Sequence, residues 1–274
     1  MYAVFLIAAL ISVICVLLIC LFLFANGLPP IIKIGALEFL TGLVWKPASG
    51  IYGIAPMIIG SLYVTAGAML AGVPAGVLTA VFLAGFCPDR LHRLLSPAVS
   101  LLAGIPSVVY GFFGLVLIVP IMQSLFGTGK NIFTASILLG IMILPTVVSV
   151  SETALRAVPD NYYEGALALG ATHEYAFFFT VLPAAKSGVT AAIILGVGRS
   201  IGETMAVIMV AGNQPAIPDS IFKGVRTMTA NIVLEMGYAA DLHREALIGT
   251  AVVLFVFILV INLLFSIVKR GMKA

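Results

Sequence analysis

Charge is what this sequence has least of. Only 9% of its 274 residues are Asp, Glu, Lys or Arg, whereas 62% are hydrophobic, and the mean hydropathy is +1.20. A soluble domain carries about 25% charged residues. This chain cannot cover a water-facing surface with so little, and it reads as an all-α integral membrane protein. The net charge of +3 shows no basic stripe, so nucleic acid is not an expected partner. Cysteine is scarce too. Cys15, Cys20 and Cys87 have neither disulfide-framework nor metal-ligand spacing and read as small buried hydrophobes. The pattern G-x-x-x-x-G-K-[ST] is missing, so no P-loop nucleotide site exists in this chain. H-E-x-x-H is missing as well. The three histidines, His92, His173 and His243, lie outside the apolar runs. These absences argue against an enzyme, and no cofactor or metal is expected in the chain.

What is present is apolar sequence long enough to cross a bilayer, which takes ~20 helical residues. Six spans are expected, at about Tyr2–Ala25, Met57–Ala84, Pro97–Leu125, Ile132–Ser151, Gly188–Gly212 and Leu247–Val268. The first has no basic leader and a poor cleavage site, so it reads as a retained span. The absent N-terminal Lys or Arg leaves an upstream start open. If both ends are cytoplasmic, seven basic residues fall inside and six outside. That count alone decides little, but Arg90, Arg93, Lys186 and the tail cluster lie near span ends, where charge weighs most. Both termini are therefore expected inside. Gly67, Gly72, Pro74 and Gly76 in the second span, and Gly104, Pro106, Gly111 and Gly114 in the third, suit a moving pathway or a tightly packed bundle equally well.

About 36 residues separate the fourth and fifth spans, which is long for a connector. Pro159 and Asp160 punctuate the start, and Asp160 or Asn161 can cap a helix there. Gly170 can end it, and a strongly apolar stretch follows up to Pro183. The spacing predicts a short helix outside the membrane, either docking into a partner's groove or lying on lipid. Glu152 and Arg156, four residues apart, read as a solvated ion pair. The charges between Gln214 and Glu245, including Lys223 and Arg226, also read as solvated.

The stretch EGALALGATHEYAFFFTVLP resembles the cytoplasmic loop of ABC importer permeases. The matching positions are Glu164, Gly165, Ala166, Gly170, Leu182 and Pro183, with Gly165 standing where the common pattern has Ala. GVGRSIGETMAVIMVAGN and AGIPSVVYGFFGL resemble the phosphate permeases of the PstC type. Thr204, Met205 and Ala206 depart from the sulfate, molybdate and PstA patterns. The resemblance implies a type I permease bundle of six transmembrane helices with a cytoplasmic coupling helix. It divides the chain into a first helix and external loop (1–56), a permease domain (57–268, coupling loop about 152–187) and a basic tail (269–274). It implies a heterodimer with a PstA-like subunit, two ATPase subunits that carry ATP and Mg, and an external phosphate-binding protein, in a bacterial inner membrane.

Two charges, Arg199 and Glu203, sit inside the fifth apolar run. In a continuous helix they share one face. A charge at mid-membrane costs about 2.5–3.5 kcal/mol, so both must pair or face a cavity. Three readings stay open: an intrahelical ion pair that locks packing, an anion site in which the guanidinium grips phosphate oxygens, and a gate whose charges exchange partners. Glu203 can accept a hydrogen bond from protonated phosphate, which sulfate cannot offer. Thr204, Ser107 and Tyr110 are candidate lining residues, although Ser and Tyr also serve to satisfy backbone groups. A secondary transporter using Glu203 as a proton carrier is the alternative, and a permease for another tetrahedral oxyanion is a nearer one.

Overall fold

A computed structural model describes residues 1–271. Lys273 lies outside them, and only the backbone of the basic tail's residues 269–271 is described. The elements are α1 (Tyr2–Ile34), α2 (Ala36–Thr41), the paired strands β1 (Trp45–Lys46) and β2 (Ile51–Tyr52), and α3 (Ala55–Val81), which runs into a π-turn over Phe82–Phe86. Next come α4 (Asp89–Ala103), α5 (Ser107–Phe113), a second π-turn and α6 (Val119–Phe126), and then α7 (Ile132–Arg156). The coupling segment holds α8 (Asp160–Ala168), α9 (His173–Ala176), a third π-turn and α10 (Leu182–Ala184). The chain continues through α11 (Lys186–Gly202), α12 (Met205–Val210), α13 (Met228–Met236) and α14 (Asp241–Gly271).

Five helices are long and apolar enough to cross a membrane: α1, α3 with its π-turn, α5–α6, α7 and α14. The pair His173–Ala184 and Lys186–Gly202, bent by 69° at the break between them, is long and apolar enough together to make a sixth. The bundle forms around α7, the most deeply buried of these spans. Asn131 starts it by accepting a hydrogen bond from the Thr134 N–H at 2.8 Å, replacing one of the partners a helix N-terminus lacks. α3 and α7 run side by side in the same direction, and glycine makes the approach possible. A Cβ on Gly72 would stand 2.7 Å from the Gly140 carbonyl oxygen and from Ile143, and one on Gly76 would stand 2.8 Å from Val147. α11 crosses α7 the other way, with Gly188 against Ala154 and Gly196 against Val147. α1 lies apart from this core. It packs antiparallel on α14, where Gly27 meets Ile248 and Val252, so α1 begins and α14 ends on the coupling-segment face.

Three expectations need correction. The first helix continues past Ala25 to Ile34, through Pro29 and Pro30, and stops at Gly35 with φ +101°. The third span does not start at Pro97. α4 is a separate amphipathic helix, and the span begins at Ser107 after a break at Gly104–Pro106. Pro106 has no N–H and disfavours helix at the residue before it. The Tyr110 hydroxyl donates to the Leu102 carbonyl across the break at 2.9 Å. The fifth run is not one helix either; it is interrupted at Glu203–Thr204.

The glycine contacts give a stability prediction. Gly72→Val is expected to destabilise the α3–α7 pair by about 1–3 kcal/mol, read as a lower unfolding temperature of the detergent-solubilised chain. Gly165→Val, where a Cβ meets nothing within 4 Å, should leave that temperature nearly unchanged.

Candidate functional site

The interruption at Glu203 is built from local hydrogen bonds. Glu203 has extended backbone, φ −70° and ψ 130°, and ends α11. Its Oε1 accepts from the N–H groups of Thr204 (3.1 Å) and Ala206 (3.2 Å), so its own carboxylate starts the next helix. The Glu203 carbonyl accepts from Thr229 Oγ1 at 3.1 Å, and the Gly202 carbonyl accepts from Thr204 Oγ1 at 3.2 Å. Irregular backbone at membrane depth persists only where protein or water satisfies it, and here side chains do much of that. The consequence for the expected ion pair is direct. With the helix broken at Glu203, the i,i+4 geometry is lost, and Arg199 and Glu203 form no ion pair.

Arg199 is exposed in the isolated chain and makes no hydrogen bond among the described residues. Gly198 and Gly202 flank it with open space where a Cβ would sit. Tyr110 is within reach of its charge. α5 lies against α12 because Gly111 admits Ala206 and Met209, which brings the Ser107–Tyr110 turn to this side of the bundle. Ser107 is half-buried at the first turn of α5, and Thr204 is half-buried at the break. Glu203 Oε2 has no partner among the described residues. Chemically, the arrangement offers an anion a guanidinium fork, a half-used carboxylate and thin, glycine-flanked backbone. Among the described residues no cluster of His, Cys, Asp or Glu is placed to hold a metal.

The face opposite the coupling segment is held by a buried polar cluster that sequence reading missed. Glu235 Oε1 accepts from Arg226 Nη1 at 2.5 Å, and Oε2 accepts from Trp45 Nε1 and faces His243 Nε2, both at 2.8 Å. Arg226 also donates to the Asn213 carbonyl and to Asn231 Oδ1. Arg226 is therefore not a solvated loop charge, because its side chain is only 15% exposed. Burial pushes the Glu235 carboxyl up, but the bonds from Trp45, His243 and Arg226 outweigh it and hold the carboxyl below its usual range. Lys223, by contrast, pairs with Asp219 in the open. α13, at the centre of this cluster, carries the Thr229 that holds the Glu203 carbonyl.

On the coupling face, α8 starts without a side-chain cap. Asp160 is its first helical residue and not its cap, because Pro159 occupies that place. It ends in a Schellman arrangement. Gly170, at φ +90°, donates to Leu167, and Ala171 donates to Ala166. Glu164, Gly165 and Gly170 are exposed and Ala166 is half-buried. Leu182 is half-buried and Pro183 exposed, just before the bend into α11. Glu152 and Arg156 are not simply solvated. Glu152 is buried, its Oε1 contacts His92 Nε2 (2.6 Å) and Arg156 Nε (2.9 Å), and Arg156 Nη2 donates to the Leu83 carbonyl at 2.8 Å.

A bundle of this form, with a bent helix pair after a short exposed helix, is that of an importer's membrane subunit. The chain belongs to the family described as "Binding-protein-dependent transport system inner membrane component", which matches residues 72–274. It is 39% identical over 251 residues to the "Probable ABC transporter permease protein YqgH" of Bacillus subtilis (strain 168), covering 88% of this chain and 79% of that one. It is 34% identical to the "Phosphate transport system permease protein PstC" of Mesorhizobium japonicum, covering 80% and 74%. Among solved structures, the inward-facing MetNI methionine ABC transporter matches with a TM-score of 0.67 at 19% identity, over 84% of this chain and 99% of that one. A bacterial alginate ABC transporter matches at 0.66 and 14%, over 98% and 96%. These two likenesses show the fold. The chain is a membrane permease of ABC importers, with the all-α type I bundle the sequence led us to expect.

The buried cluster on the far face gives a prediction with a sign. Removing one partner of a buried pair costs about 3–5 kcal/mol, so Glu235→Ala should expose the 214–245 segment to trypsin, which cuts after Lys223, Arg226 and Arg244. A carboxyl held below its usual value contributes stability that is fully present above about pH 4.3 and is lost as pH falls through the folded value. Protease resistance of the parent should therefore not change through Glu235 between neutral pH and the ordinary carboxylate range, and should fall only below it.

Proposed function

We propose that this chain is the PstC-like subunit of an ATP-driven importer of inorganic phosphate, and that the interrupted fifth helix lines the path of the ion. The observation that carries the reading is Arg199, a permanently charged group in an apolar span, exposed and without a partner among the described residues, beside a helix break. The likeness to PstC permeases supports phosphate as the cargo. A guanidinium presents paired donors that match phosphate oxygens and does not lose its proton. Glu203 spends one carboxylate oxygen on the backbone and leaves the other to accept the hydrogen bond of protonated phosphate. Binding at such a point must be weak enough to release the ion. Ser107, Tyr110 and Thr204 flank the same path, with Tyr110 committed to the Leu102 carbonyl in this state.

Energy comes from partner subunits in this account. The exposed face of α8, with Glu164, Gly165 and Ala166, enters a groove on an ATPase subunit that binds ATP and Mg. The open surface above Gly165 supports a close approach of partner backbone. The other partners are a PstA-like permease, against which the exposed side of Arg199 would close the pathway, and an external phosphate-binding protein on the Trp45–Glu235 face. Both chain ends are then cytoplasmic, because they share the coupling-segment face. Nucleotide binding in the ATPase would rock the bundle between two access states.

The test is ATP-dependent phosphate uptake by vesicles holding the whole complex. Arg199→Ala should abolish uptake with the complex still assembled, and Arg199→Lys should lower it about tenfold or more, because lysine keeps the charge and loses the fork. Sulfate should not compete in the parent. Normal uptake by Arg199→Ala would refute both the pathway and the gate role.

A further inference from the structure

The π-turn that ends α3 is gripped from two sides. π-turns inside helices often mark functional positions, because their carbonyls are left for other partners. In Phe82–Phe86 two carbonyls have such partners. Leu83 accepts from Arg156 of α7 at 2.8 Å, and Gly85 faces His173 Nε2 of the coupling segment at 3.1 Å. A carbonyl only accepts, so Nε2 carries the proton of that bond. In the neutral ring Nδ1 is then an acceptor, and the Tyr163 hydroxyl lies 2.6 Å from it. Tyr163 belongs to α8, next to Glu164. An unbroken chain of hydrogen bonds thus runs from the proposed docking helix, through one imidazole, to the backbone of the second transmembrane helix.

The packing leaves this connection little slack. The Phe86 and His173 rings pack with centroids 4.5 Å apart, tilted by 58°. The Phe177 ring packs against Gly85, where a Cβ would stand only 2.3 Å from it. Beside the chain is a cavity of about 370 Å³ lined by Gly85, Arg156, Tyr163, His173 and Phe177, among others. Tyr163 is the half-buried polar side chain of α8, whose other polar side chains, Asp160, Asn161, Tyr162 and Glu164, are exposed.

We infer that His173 is a positioning residue for energy coupling: it ties displacement of α8 to the π-turn of α3, with the Gly85 carbonyl fixing its tautomer and the Tyr163 hydroxyl bonded to Nδ1. This rests on the reading of α8 as the ATPase-docking helix. Cys87, two residues beyond Gly85 and half-buried, is a native reporter of the π-turn. Cys15 and Cys20 lie on α1 and can be replaced by Ala.

The experiment uses the assembled complex with only Cys87 retained. It measures ATPase copurification, phosphate transported per ATP hydrolysed, and the maleimide labelling rate of Cys87 with and without trapped ATP. We expect the parent rate to change on trapping. His173→Ala should keep the ATPase bound, lower transport per ATP about tenfold and abolish the change in labelling. His173→Gln, which can still donate to the Gly85 carbonyl, should restore much of both. Tyr163→Phe, a milder change that retains the ring, should fall between them. A nucleotide response of Cys87 that survives in His173→Ala, or no response in the parent, would overturn the proposal. Failure of the ATPase to copurify with the parent would overturn the docking reading instead, so the two failures are distinguishable.

Discussion

A helix cannot be interrupted in hydrocarbon unless the amides and carbonyls it frees find new partners. That constraint organises the site. Glu203 supplies the partner for two amides, Thr204 and Thr229 supply partners for two carbonyls, and the interruption becomes a stable feature of the fold. The same step decides the electrostatics. The break takes Glu203 off the helical position one turn from Arg199, so the two charges form no ion pair.

The interruption also joins the two faces. Thr229 sits on α13, and α13 is fixed by Glu235 to Trp45, Arg226 and His243. One face of the permease therefore holds the Glu203 carbonyl through a rigid, buried cluster. On the other face, His173 and Arg156 hold the end of α3, and the glycine-lined contact carries α3 onto α7. α3 is thus anchored near both ends by polar groups, with Ser61 accepting from the Met228 N–H at its start, while its middle section passes α7 on glycine. Such an arrangement favours rigid-body movement over local softening.

Much of the fold was legible in the sequence because long apolar runs have few alternatives. The six crossings, the helix in the coupling segment and its end at Gly170 follow from composition and punctuation. The breaks were harder. Gly104 and Pro106 were visible as breakers, but the apolar residues of α4 blurred the start of the third span. At Glu203 no proline marks the interruption. It depends on a carboxylate turning onto its own backbone and on a threonine 26 residues away, and neither leaves a mark on hydrophobic periodicity. The reading of Arg199 and Glu203 as helix neighbours followed from assuming continuity. Trp45 and Glu235, 190 residues apart, and His173 with Gly85, 88 apart, could not be paired from spacing at all. The histidines served in the sequence only to argue against an enzyme, and the structure shows all three joining elements together.

The central claim is that the interrupted helix opens onto water and not onto lipid. The most direct measurement is thiol labelling of Gly198→Cys in the assembled complex, with Cys15, Cys20 and Cys87 replaced by Ala and a small, charged, membrane-impermeant reagent added to both faces. Gly198 has open space at its Cβ, so the substitution itself should be tolerated. The account predicts labelling much faster than that of Leu264→Cys on the exposed side of α14, with phosphate slowing the reaction. Labelling no faster than at Leu264 would place Arg199 against lipid or a sealed interface and contradict the account.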